Sequence, residues 1–157
     1  MSTRDTEGPQ PALSGSLHYL LKHALLRLAD LTGPALAPFG INGRECAVLT
    51  AIDERTPPSQ QEVAERMGVD RTTMVTLVDD LEKKELVQRR PDPLDRRKNV
   101  VVLTDAGRTT LEGATRAVDE AERRFLGPLS DDEAATFREA LRATAFTASP
   151  ELAPHER

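Results

Sequence analysis

At 157 residues, 38% hydrophobic, 30% charged and 3% aromatic, the chain has the size and balance of one soluble domain; its longest apolar run, Val100-Val101-Val102-Leu103, excludes a membrane span, and its lone Cys46 excludes a disulfide scaffold. The net charge of −5 taken alone argues against a general nucleic-acid binder. Its distribution reverses that, because residues 1–82 hold 7 basic and 12 acidic groups and 99–157 hold 7 and 11, whereas 83–98 hold 7 and 3: one basic island in an acidic chain, either a solvated loop or a local patch for phosphates.

In chain order, residues 1–12 and 148–157 lack periodicity and read as loose ends, and the polar start Met1-Ser2-Thr3-Arg4-Asp5 has no apolar signal core, so a cytoplasmic location is expected. Leu17, Leu20, Leu21, Ala24, Leu25, Leu28 and Leu31 recur at three- and four-residue steps, which predicts a helix over about 14–32, stopped by Gly33-Pro34. Asn42 with Glu45, and Ser59 with Glu62, have the spacing of capping boxes; they open a helix carrying Cys46, Val48, Leu49 and Ile52, then a short one over 59–67 that breaks at Gly68. Asp70 caps a fourth helix with Met74, Leu77, Val78 and Leu81 on its core face and Thr72, Thr76, Asp79 and Lys83 opposite. Strand-like runs over 86–90 and 99–103 flank a turn-rich loop that ends in Arg96-Arg97-Lys98, predicting a hairpin with a basic tip. Thr104 then caps a long helix through Phe125, broken at Gly127-Pro128, and Ser130 with Glu133 opens the last one, carrying Ala134, Phe137, Leu141 and Ala145. A core of 36 Leu, Ile, Val and Phe residues without Trp is thin for a free-standing monomer, so a second copy is expected to cover part of it.

A short helix, a Gly-containing turn and a helix with small polar groups outward is the geometry that lays one helix in the DNA major groove, although the same pattern also occurs as packing scaffold. The hairpin that follows at once, and its coincidence with the basic island, favour DNA. Arg71, Thr72, Thr73, Thr76 and Lys83 are the candidate groove and phosphate contacts of the helix. Arg96, Arg97 and Lys98 are those of the hairpin, where a guanidinium can enter a narrow minor groove. Asp79 and Asp80 oppose phosphates and are expected where the helix leaves the groove or in a local ion pair. Together these elements predict a mainly α fold with a small β-hairpin wing, a winged helix-turn-helix.

The run Pro91-Asp92-Pro93-Leu94-Asp95-Arg96-Arg97-Lys98-Asn99-Val100-Val101-Val102-Leu103-Thr104-Asp105-Ala106-Gly107 resembles the wing signature of the multiple-antibiotic-resistance regulator (MarR) family, and 61–87 resembles that family's helix-turn-helix. The resemblance extends from about Leu17 to Phe146. It implies one unit over 13–147, with the winged helix-turn-helix at about 42–104 and dimerisation helices at about 14–32 and 105–146. It also implies a homodimeric repressor at an inverted-repeat operator on double-stranded DNA, released by a small ligand or oxidant, with Asp95 orienting Arg97 for the minor groove. Glu85 departs from the pattern, which has Gly there as a left-handed helix cap; Glu in that geometry costs about 1 kcal/mol, or else the helix ends differently.

For the signal, the residues say less. Cys46 lies on the helix face shared with Leu49 and not in the first helix, where the family's peroxide-sensing cysteine sits; it reads as a structural thiol, with a redox-responsive regulator as the alternative. His18 and His23 point about 140° apart on a helix, and no metal or cofactor is expected. Tyr19, Phe39 and Arg44 are candidates to line a pocket for an aromatic anion between the dimer helices and the DNA-binding lobe. The chain has no glycine-rich phosphate loop, His-Glu-x-x-His or nucleophile elbow, so an enzyme is not expected. A dimeric interaction protein that kept the fold and lost operator binding is the competing class.

Overall fold

The computed structural model describes residues 15–146, and the expected loose ends at 1–12 and 148–157 lie outside them. Helices α1 (Leu17–Leu36), α2 (Gly43–Ile52), α3 (Gln60–Met67) and α4 (Arg71–Lys83) precede a two-stranded antiparallel hairpin of β1 (Val87–Pro91) and β2 (Asn99–Leu103). Helices α5 (Asp105–Leu126) and α6 (Asp131–Phe146) complete the fold. This is the winged helix-turn-helix between flanking helices that the hydrophobic periodicity predicts.

The predicted caps form. Asn42 accepts from the Glu45 amide while the Glu45 carboxylate accepts from the Asn42 amide, and Ser59 with Glu62 repeats the exchange. Asp70 accepts from Thr73 N–H, and Thr104 from Gly107 N–H. These bonds satisfy first-turn donors that the helix itself cannot. Gly68, at φ 62°, ends α3 with the sharp turn into α4.

Two boundaries differ from expectation. The stop at Gly33-Pro34 is not taken: α1 runs through Pro34 to Leu36, and the chain turns instead through a 3-10 turn, Ala37–Phe39, closed by Gly40 at φ 66°. A proline near a helix end removes one hydrogen bond, and burying Leu36 in the core offsets that loss. Strand β1 starts at Val87 rather than Leu86, because the Leu86 amide is engaged by Leu81 O (3.0 Å) in the turn that ends α4.

The core joins α2, α3, α4 and the hairpin to the middle of α5: Val48, Leu49, Val63, Met74, Val78, Leu81, Val101 and Ala114 are fully buried. Val101 N–H reaches Pro58 O (3.0 Å), tying the hairpin to the start of α3. Helix α1 lies along α5, with the Phe39 ring seated where a side chain at Gly113 would stand. Helix α6 buries no residue within the protomer.

Candidate nucleic-acid interface

Helix α4 is anchored by Met74, Val78 and Leu81, so the 100° rotation per residue turns Thr72, Thr76 and Lys83 to solvent. Part of this polarity is already committed. Thr76 donates its hydroxyl to Thr72 O (3.2 Å), Thr73 donates to the Asp70 carboxylate (2.6 Å), and Lys83 pairs with Asp80 (3.1 Å). The Thr72 hydroxyl and the Arg71 guanidinium have no partner among the described residues. Asp70 is held below the ordinary carboxylate range by the Thr73 hydroxyl and amide that bind its charged form.

The wing tip is built by short-range bonds. Asp92 Oδ1 accepts from Leu94 N–H (2.8 Å), Lys98 N–H donates to Asp95 O (2.8 Å), and Asp92 N–H closes the loop on Lys98 O (2.9 Å). Asp95 Oδ1 accepts from both Arg97 N–H (3.1 Å) and Arg97 Nε (3.2 Å), while the Arg97 side chain remains 91% exposed. The guanidinium is therefore oriented without being covered. Arg96 and Lys98 are also exposed. A cleft of about 610 Å³ separates wing from helix-turn-helix, with Gln61, Arg71, Arg89, Lys98 and Asn99 on its walls.

Arg89, counted in sequence with the basic island, does not face outward. It donates to Asp79 (2.7 Å), to Glu82 and to Gln60 (3.0 Å), and its amide donates to Glu82 (2.9 Å). One half-buried guanidinium thus joins β1, α4 and α3 and neutralises two carboxylates beside the outward face of α4, which is the local ion pair expected for Asp79. In sequence the acidic pair Asp79 and Glu82 on one flank of α4 is visible, but nothing in the spacing names Arg89 as its partner. A second strut missed in sequence is Lys84, whose ammonium contacts buried Glu45 (2.7 Å) and Gly40 O (2.8 Å), linking the end of α4 to the start of α2.

The residues expected to take a ligand do not converge within one protomer. The Tyr19 ring packs tilted against His23 (ring centroids 4.1 Å apart) near the start of α1, and the helix rise puts it about 25 Å from Phe39. Arg44 stands on the first turn of α2, in a groove that includes neither. Cys46 is half-buried against the core, and burial pushes its thiol up, which lowers the thiolate fraction a sensor needs. Among the described residues no group of His, Cys, Asp and Glu could hold a metal ion, and no helix is long and apolar enough to cross a membrane.

A free-faced helix beside a preorganised basic wing defines a winged helix-turn-helix DNA-binding protein. A MarR family profile matches residues 39–98. The transcriptional regulator HosA of Escherichia coli O111:H- is 30% identical over 73% of this chain and 78% of its own length. The transcriptional repressor NicR of Pseudomonas putida is 35% identical over 54% of each chain, so this chain spans about half of that relative. Among solved structures, the repressor CouR bound to a 23-mer DNA duplex superposes with a TM-score of 0.82 at 32% identity, covering 89% of this chain and 99% of that one. CouR from Rhodococcus jostii RHA1 bound to p-coumaroyl-CoA gives 0.79 at 32% identity, covering 90% and 100%. The chain belongs to the MarR family of transcriptional regulators, a family of DNA-binding proteins and not of enzymes.

Proposed function

We propose that the protein is a cytoplasmic, homodimeric repressor that binds a near-palindromic operator and leaves it when a small aromatic or anionic ligand binds. The observation that carries this reading is the Asp95–Arg97 pair: an arginine held by its own loop, exposed, beside the free face of α4. In this reading α4 enters the major groove with Thr72, Thr76 and Lys83 toward base edges, while Arg71 and Thr73 meet phosphates at the helix start. Arg97, flanked by Arg96 and Lys98, enters the adjacent minor groove, where a narrow, electronegative floor favours a guanidinium.

The outward leucines of α1 support the dimer, and two-fold symmetry would set recognition helices about 34–36 Å apart, one turn of DNA. The solved structures of CouR bound to a 23-mer DNA duplex and bound to p-coumaroyl-CoA support ligand release as the switch. The three expected ligand residues stand on different parts of one copy: Tyr19 near the start of α1, Phe39 against α5 and Arg44 on the DNA-binding lobe.

The test is titration of labelled duplexes covering the DNA that flanks the protein's own gene, at two salt concentrations with excess nonspecific competitor. A dimer-sized, salt-sensitive, competitor-resistant complex is expected. Arg97→Ala should weaken it by about 1–3 kcal/mol, and Lys98→Ala should lower the salt slope by about 0.9 per protomer. Folded protein that forms no complex would leave a dimeric interaction protein that kept the fold.

A further inference from the structure

Beyond the wing and α4, we propose that Arg44 grips the phosphate backbone on the flank of the recognition helix opposite the wing; this rests on the DNA-binding reading above. The helical wheel of α4 separates two flanks. Arg71 and Glu82 fall on one and Thr73 and Leu77 on the other, about 200° around from Arg71 to Thr73, with the outward Thr72 and Thr76 between them. The first flank is the wing side, because Arg89 of β1 binds Glu82 there and Arg71 shares the cleft with Lys98. The second flank opens on a groove of about 500 Å³ walled by Gly68, Asp70, Thr73 and Leu77, with Arg44 of α2 on its far side.

A helix in the major groove has a phosphate strand along each flank, so a cation is needed on both. Arg44 is exposed and has no hydrogen bond or ion pair among the described residues. The carboxylates of Asp70, on the same groove, and of Glu45, the next residue, are engaged elsewhere. Asp70 accepts from the Thr73 amide (2.9 Å) and hydroxyl (2.6 Å), and Glu45 is buried between the Asn42 amide (2.9 Å) and Lys84 (2.7 Å). The same Glu45–Lys84 bond fixes the first turn of α2 to the end of α4, so Arg44 is carried on a rigid mount relative to the groove-reading face. A guanidinium offers the paired donors that a phosphate accepts.

The experiment titrates wild type, Arg44→Ala, Arg44→Lys and Arg97→Ala against a fluorescent 30-base-pair duplex of random sequence and against the gene-flanking duplex, from 50 to 300 mM KCl. A phosphate contact is independent of sequence, so Arg44→Ala should weaken both complexes on the order of tenfold per protomer at the lowest salt and reduce the log–log salt slope by about 0.9 per protomer, with Arg44→Lys restoring the slope. Wild-type affinity and slope in Arg44→Ala, alongside weakened binding by Arg97→Ala, would overturn the Arg44 assignment and leave the regulator reading standing. Wild type that binds neither duplex would overturn both.

Discussion

Glu85 sits at φ 60°, the only residue other than glycine in the left-handed region among those described. It occupies the position after the α4 cap, where Glu85 N–H bonds Glu82 O (2.9 Å) and Leu86 N–H bonds Leu81 O (3.0 Å). Gly68 closes α3 with the same pair of bonds, to Glu65 O (3.2 Å) and, through Val69 N–H, to Ala64 O (3.1 Å). Both are the turn that satisfies orphan helix carbonyls through a left-handed residue. Glycine adopts it freely and glutamate does so against its Cβ. The substitution Glu85→Gly is therefore expected to stabilise the fold by about 1 kcal/mol, raising the melting midpoint by roughly 3 °C in calorimetry. The side chain of Glu85 is exposed and nothing in the structure explains why glutamate stands there. The departure was legible in sequence; that the backbone keeps the turn was not, because only Thr104, donating to Glu85 O (2.7 Å), shows how tightly the turn is held.

At the scale of elements, the helix starts were the most legible feature, since each cap is a local contact between residues three apart. Their chemistry has a pH signature. Glu62 and Glu133 are lowered from the ordinary carboxylate range chiefly by the Ser59 and Ser130 amides, and Asp70 chiefly by the Thr73 hydroxyl. A carboxyl lowered in the folded state contributes stability that is fully present above its unfolded value and is lost as pH falls through the folded one. The melting temperature should thus be insensitive to these groups from neutrality down to about pH 5 and fall below about pH 4.5. Ser59→Ala and Ser130→Ala, by weakening the boxes, should flatten that acid limb in melts recorded across pH 3–7. Contacts between elements were not legible. Arg89 lies 29 residues from Gln60 and 10 from Asp79, and no spacing rule joins a strand to two helices. Tertiary packing alone turned that cation inward.

The whole protomer leaves α1 half-naked: Leu17 is 71% exposed, Leu25 68%, Leu26 51% and Leu20 50%, and Phe146 at the end of α6 is 84% exposed. On the helical wheel Leu17, Leu20, Leu21 and Leu25 share one side of α1, the surface expected to meet a second copy, and each leucine side chain removed from water contributes roughly 1.5–3 kcal/mol. The doubly substituted Leu21→Glu, Leu25→Glu protein is expected to sediment as a monomer. On the gene-flanking duplex its salt slope should fall to about half the wild-type value, since half the phosphate contacts are lost. A dimer that persists in sedimentation would place the interface elsewhere.

Sequence by itself determined the element order, the caps, the wing with its basic tip and the core faces of α2, α4 and α5, because these depend on periodicity and on contacts a few residues apart. It also showed a wide apolar face on α1 and a core thin for one copy. Tertiary structure decided which cations are free and which are spent. Arg89 and Lys84 are consumed by carboxylates brought from distant elements, whereas Arg71, Arg96 and Arg44 have no bonded partner among the described residues. It also separated Tyr19 from Phe39 along the length of α1 and carried that helix past Pro34. The physical reason is common to these cases: charge pairing and helix extension against a neighbour depend on distances across the fold, which no local pattern encodes.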